Sequence, residues 1–208
     1  MRVLFFAAII ICYTSSIFAE ECNRGFNYTS KEDSTLELCV KDFKKTRYPR
    51  FKDYEVADDK HIDPIFPKYI DTLDLDDQRE WIEAIHDAYE SNRANFAGHY
   101  LFVQRGCGGG CRRVLIANLN TGECYIPKQT ALVLATVNPL PLKVLDKLGI
   151  NENEESIFLF KSNSKMLIFI GTSGENEGRK STRGVYHFVW DKDKLALISK
   201  VEKIATFK

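Results

Sequence analysis

At Gly98 the hydrophobic period of this 208-residue chain changes, and the change restricts the fold more than any other feature. Before it, Trp81, Ile82, Ile85 and Tyr89 recur at steps of three or four residues, with Ala84 and Ala88 beside them. That spacing is the apolar stripe of an amphipathic helix. Asp74, Asp76 and Asp77 stand where the positive end of the helix dipole favours acids, so a helix is expected from about residue 75 to Ser91. After Gly98 the period falls to two. His99 to Gln104 and Arg113 to Leu119 read as strands, Asn120-Thr121-Gly122 as a turn and Glu123 to Ile126 as a third strand. Leu132 to Val137 is a short apolar strand or helix, and Leu142 to Leu148 a short helix that Gly149 terminates. Ile157 to Lys161 and Met166 to Gly171 flank the turn Ser162-Asn163-Ser164; Val185 to Trp190 and Leu195 to Val201 flank Asp191 to Lys194. Strands joined by short turns pair antiparallel. The expected fold class is therefore α+β: an antiparallel β-meander with one main amphipathic helix, about residues 75–91, packed on one face. The chain has no internal repeat and no low-complexity segment.

The amino terminus reads as a cleavable signal peptide. Arg2 supplies the positive region, Val3 to Cys12 the apolar run, and Ala19 the small residue before Glu20. Ten apolar residues fall well short of the ~20 a spanning helix needs, and no later segment is a better candidate, so a soluble exported domain without a transmembrane segment is expected, periplasmic or secreted. Neither Cys12 nor Cys22 follows a lipoprotein-type triplet. Cleavage near Ala19 leaves 189 residues, enough for a single globular α+β domain over 20–208. Within it, residues 20–70 form an irregular lead-in carrying the Asn27-Tyr28-Thr29 sequon and a basic run from Lys41 to Arg50. Glu55 to Phe66 and the polar, glycine-bearing Thr172 to Arg183 read as loops. The mature chain has 28 basic and 29 acidic residues, a balance that gives no electrostatic case for nucleic acid or an anionic membrane as partner.

Chemistry is concentrated in one stretch: Asn95-Phe96-Ala97-Gly98-His99-Tyr100, a strand, then Gly106-Cys107-Gly108-Gly109-Gly110-Cys111 followed by Arg112 and Arg113. Three consecutive glycines between cysteines imply positive φ or a close backbone approach. This stretch, with the later "ANLNTGECY" turn and the "SNSKMLIFIG" element, resembles a group of uncharacterised bacterial exported proteins. The resemblance spans roughly residues 90–200. It implies an α+β exported domain built around the glycine–cysteine loop and carries no activity with it.

Export permits disulfides, and the mature chain has five cysteines, so at most two bridges form and one thiol is left. Cys107 with Cys111, and Cys22 with Cys39, are the candidates, Cys124 then being the odd one, although Cys124 paired with Cys107 or Cys111 stays open. A five-residue ring adds little closure entropy; its role would be to hold a shape. Three functional readings compete with this structural one. A Cys107/Cys111 redox dithiol has three intervening residues where the familiar motif has two. A metal site on His99, Cys107 and Cys111 lacks an evident fourth ligand, so neither a metal nor any other cofactor is expected. An anion site would use the amides of Gly108, Gly109 and Gly110 as a nest, with Arg105, Arg112 and Arg113 adding charge and His99 a further ligand-binding candidate.

Other chemistry fails on spacing. Gly171-Thr172-Ser173-Gly174 is not a nucleophile elbow, and Asp71, Asp74, Asp76 and Asp77 lack the glycine of a calcium loop. Tyr186, Phe188 and Trp190 alternate with Val185, His187 and Val189, so one set is expected to face solvent or a partner. No residue set completes a catalytic constellation. The sequence therefore reads as a non-enzymatic binding or interaction module with a protein or small-molecule partner outside the cytoplasm. The alternatives are a thiol-based or Cys/His enzyme, or a small-anion binder, centred on His99, Cys107 and Cys111.

Overall fold

The structure, a computed structural model, describes residues 38–57, 65–66, 75–92, 94–108, 110–130, 133–134, 140–151, 156–172 and 180–206. The expected signal peptide, Cys22, the Asn27 sequon and Gly109 lie outside the described residues.

The helix expected from the apolar stripe is α1 (Leu75–Asn92), and a second short helix, α2 (Leu142–Leu148), follows the strands of the first sheet. Eight strands complete the order: β1 (Tyr100–Gly106), β2 (Cys111–Asn118), β3 (Cys124–Tyr125), β4 (Val133–Leu134), β5 (Phe158–Lys161), β6 (Ser164–Gly171), β7 (Lys180–Asp191) and β8 (Lys194–Thr206). The α+β class with one main helix holds, and the strands divide between two antiparallel sheets. In the first, β2 pairs β1 along one edge and, along the other, β3 and β4 at its two ends. In the second, β5 to β8 form a meander in chain order.

The sheets stack face to face. Phe102, Val114 and Ile116 of the first meet Phe158, Leu167, Phe169, Tyr186, Phe188 and Trp190 of the second in one buried cluster. Aromatic side chains fill the gap, with Phe102 and Phe158 rings 5.5 Å apart, Phe158 and Phe169 5.1 Å, and Phe169 and Tyr186 5.6 Å, within the usual range of paired rings. Helix α1 covers the outer face of the first sheet: fully buried Trp81 and Ile85 pack on Leu101, Val103, Leu115, Ala117 and Leu119. Burying each of these two side chains stabilises the docked helix by about 2–3 kcal/mol. Ile82 sits beside the stripe and belongs to no core cluster, because its position on the helix turns it away from the sheet.

The outer face of the second sheet is covered by the lead-in. This segment is irregular, as expected, with two short 3₁₀ turns at Val40–Asp42 and Phe51–Tyr54. It is nevertheless core: Leu38, Phe43, Tyr48 and Phe51 are buried with Val144, Leu145 and Leu148 of α2 against Leu159, Met166, Ile168 and Val185. Two expectations change as a result. Both sets on β7 are enclosed, since Tyr186, Phe188 and Trp190 face the first sheet while Val185 and His187 lie under the lead-in; only Val189 is half-buried. The loop expected over Thr172 to Arg183 ends earlier, because Lys180 to Arg183 extend β7 opposite Thr206 to Lys203, with Thr182 and Arg183 buried.

Turn chemistry agrees with sequence. Gly149 ends α2 in the left-handed region, at φ 68°. Lys192 and Asp193, both at positive φ, make the two-residue turn between β7 and β8.

Candidate functional site

Strand β1 separates the two regions that sequence reasoning joined. His99 precedes its first residue and Cys107 follows its last. Eight residue steps at ~3.3 Å each put about 26 Å between them. His99, Cys107 and Cys111 therefore do not form one centre, and the shared metal, redox or Cys/His sites imagined for them have no geometric basis.

At the far end of β1, Cys107 and Cys111 are disulfide-bonded, with Cα atoms 5.0 Å apart. The Cys111 amide donates to the Gly108 carbonyl (2.8 Å) and the Cys107 amide to the Cys111 carbonyl (3.2 Å). Gly108 and Gly110 have φ of 85° and 79°, and a Cβ on Gly108 would meet nothing within 4 Å, so conformation and not close approach requires that glycine. The arginines beside this corner are committed to the helix. Arg113 donates to both carboxylate oxygens of Asp77 at 3.0 Å, and Arg105 binds Asp77 and Glu80. Both guanidinium groups lie over the Trp81 ring, at 5.4 Å for Arg105 and 5.9 Å for Arg113. Arg113, and secondarily Arg105, hold the Asp77 carboxyl below its ordinary value. The acids of the first helical turn thus anchor α1 to β1 and β2, and Arg112, folded across Gly106, is the exposed guanidinium at this end.

Cys39 is also disulfide-bonded. Cys124 is the free thiol among the described residues; it is half-buried against the α1 cluster, and burial pushes it up to about 12. A thiol held protonated in this way is a poor nucleophile.

At the near end of β1 the residues Ala97, His99 and Tyr100 join Val56, Ala57, Lys165, Trp190 and Lys192 around a cleft of about 230 Å³. Three segments fix it. The Asn95–Tyr100 turn is tied by Asn95, whose side chain accepts from the Phe102 amide (2.7 Å) and donates to the Phe102 carbonyl (3.2 Å). It is fastened to the second sheet by the Gly98 amide, which donates to the Ser162 carbonyl at 2.6 Å. Val56 is placed by its amide on the Asn163 carbonyl, 2.9 Å. Among the described residues every non-glycine residue at positive φ is here or one step away: Ala97 (47°), Lys192 (46°) and Asp193 (63°). Lys192 and Asp193 form the β7–β8 turn, and Ala97 lies in the three-residue turn closed by the reciprocal Phe96–Tyr100 backbone hydrogen bonds, where a left-handed alanine is a strained position.

Behind the cleft, Tyr100 and Tyr125 pack edge-on to Trp190 at 5.4 and 5.7 Å. Tyr100 donates to Asp193 (3.0 Å) and Tyr125 to Glu123 (2.9 Å). Burial first, and then these carboxylates, push both phenols up, so they stay neutral donors. The His99 ring lies 4.4 Å from that of Tyr100. Among the described residues no carboxylate and no serine, threonine or cysteine lines the cleft, so the described lining assembles no nucleophile with an adjacent base.

Sequence reasoning placed His99 in the site and missed Val56, Ala57, Lys165 and Lys192, because they come from other turns and carry no motif; Trp190 it saw only as a strand stripe. Among the described residues no group of three or more His, Cys, Asp or Glu side chains could hold a metal ion, and no helix is long and apolar enough to cross a membrane. Comparison of the chain with family models, curated proteins and solved structures found no match.

Proposed function

We propose that the chain is an exported, non-enzymatic binding module whose ligand site is the cleft formed by the Asn95–Tyr100 turn, Val56–Ala57, Lys165 and Trp190–Lys192. One observation carries the reading: a strained left-handed alanine, Ala97, lines a concave site that contains His99, two ammonium groups and an indole. Strain persists where surrounding structure over-determines it, and such positions cluster at ligand sites. Export is supported by the signal-like residues 1–19 and by disulfides at Cys107–Cys111 and Cys39, which persist in oxidising compartments. The thiol-enzyme alternative loses support from the β1 separation and from the protonated Cys124.

The test is amide chemical-shift mapping of the mature chain against a mixed set of neutral, cationic and anionic fragments of amino-acid size. Shifts confined to residues 56–57, 97–100, 165 and 190–193 are expected. Shifts absent there, or centred on the Cys107–Arg112 corner, would reject this site.

A further inference from the structure

We infer that the cleft takes a small organic anion, a carboxylate carried on an aromatic or branched aliphatic body, an inference that rests on reading the cleft as the binding site.

Charge comes first. Lys165 and Lys192 are exposed and sit on two different hairpins, and neither has an ion-pair partner among the described residues. Four lysines elsewhere are engaged: Lys200 with Glu202, Lys203 with Asp42, Lys45 with the Ser199 hydroxyl and Lys147 with the Phe43 carbonyl. Asp193 and Glu123 lie outside the described lining and are held by hydroxyls, Asp193 accepting from Tyr100 and Glu123 from Tyr125 and Thr121. Two ammonium groups with no carboxylate among the described lining residues make a positive rim, and a partly enclosed low-dielectric wall concentrates that field.

The wall selects the body of the ligand. Val56, Ala97 and the Trp190 ring are apolar, and about 230 Å³ admits a side-chain-sized group, below the range of sites that enclose drug-sized molecules. An aromatic cage for a cation is unsuited to this geometry, because Tyr100 and Tyr125 spend themselves edge-on against Trp190 and the lysines repel positive charge. A sugar is equally unsuited, for the described lining has no Asn, Gln, Asp or Glu to pair with its hydroxyls. A dianionic phosphate is favoured by a bidentate guanidinium or a helix amino terminus, and the described lining has neither. Lysine supplies a point charge on a flexible stem, which suits a monoanion.

The carboxylate could belong to a free acid or to the carboxyl terminus of a protein. The experiment is titration of the full mature chain, followed by amide shifts and calorimetry, with N-acetylphenylalanine, its primary amide, phenethylamine, and a short peptide ending in phenylalanine as free acid and as amide. We expect the free acids to shift residues 97–100 and 190–193 and to bind more weakly as salt is raised. Each of Lys165→Gln and Lys192→Gln, in a variant whose remaining spectrum is unchanged, should weaken the acid by about threefold to fivefold. The amide should bind no better to wild type than the acid does to the double variant. Tighter binding of the peptide acid than of N-acetylphenylalanine assigns a protein terminus, and the reverse assigns a small molecule; both support the inference. Amide or amine binding in the cleft as tightly as the acid overturns the anion class and leaves the site standing. If no probe moves these resonances, site and anion class fall together.

Discussion

His187 should make the protein sensitive to mild acid, and the size of the effect follows from its surroundings. The ring is fully buried on β7, with Ile168 of β6 and Ser199 of β8 as its cross-strand neighbours, and it stacks on Tyr48 of the lead-in at 6.0 Å and 20°. Neither ring nitrogen has a hydrogen-bond partner among the described residues. Burial lowers its pKa from 6.5 to about 4; the Lys45 ammonium adds to this, and the nearby Ser199 backbone offsets part of it without reaching hydrogen-bond geometry. The unfolded chain therefore binds the proton more readily than the folded one. The associated stability is complete above pH 6.5 and is lost as pH falls from there toward 4. The full difference is about 3 kcal/mol, of which about 2 kcal/mol is gone by pH 5. Losses of that size are a large part of an ordinary domain's stability. Urea unfolding of wild type and His187→Phe at pH 8 and pH 5 isolates the effect, because carboxylate titrations are common to both. The stability difference between the two pH values should be smaller in the variant by about 2 kcal/mol. If the variant kept the wild-type difference, or if the imidazole titrated near 6.5 in the folded protein, the reasoning would be refuted.

Four further outcomes are expected. Replacing Cys107 and Cys111 by serine should cost at most about 2 kcal/mol, as a short ring implies, and leave ligand shifts in the cleft unchanged because the corner lies at the opposite end of β1; loss of binding would tie the disulfide to the site. Cys124 should resist iodoacetamide at pH 8 until urea unfolds the chain, by intact mass, and rapid native labelling would contradict its protonated state. Gly98→Ala should destabilise by about 1–3 kcal/mol in thermal unfolding and disturb the cleft, since φ is +86° and a Cβ would stand 2.9 Å from the Ala57 carbonyl. Asp77→Asn should cost about 1 kcal/mol at neutral pH. Its carboxylate is held below 3.8 by Arg113 and Arg105, so that contribution is present above this pH and disappears below it, and identical acid unfolding of variant and wild type would argue against the anchor.

Local order was written in the sequence because local forces decide it. The helix stripe of Trp81 and Ile85, the left-handed stop at Gly149, the hairpin at Lys192–Asp193 and the positive φ of the polyglycine corner each depend on a few neighbouring residues. Periodicity cannot say how many layers a strand lies between. An alternating strand such as β7 reads as half-solvated, yet Val185 and His187 are buried on one side and Tyr186 and Phe188 on the other, because the aperiodic lead-in supplies a cover that no repeat announces. The cleft was least legible of all. His99 and Tyr100 drew attention in sequence, but Val56, Lys165 and Lys192 become their neighbours only when the β5–β6 and β7–β8 turns and the segment after the lead-in meet at one end of the stacked sheets. Side chains brought together by long-range packing leave no mark in any short window of the chain, whereas caps, turns and apolar stripes do.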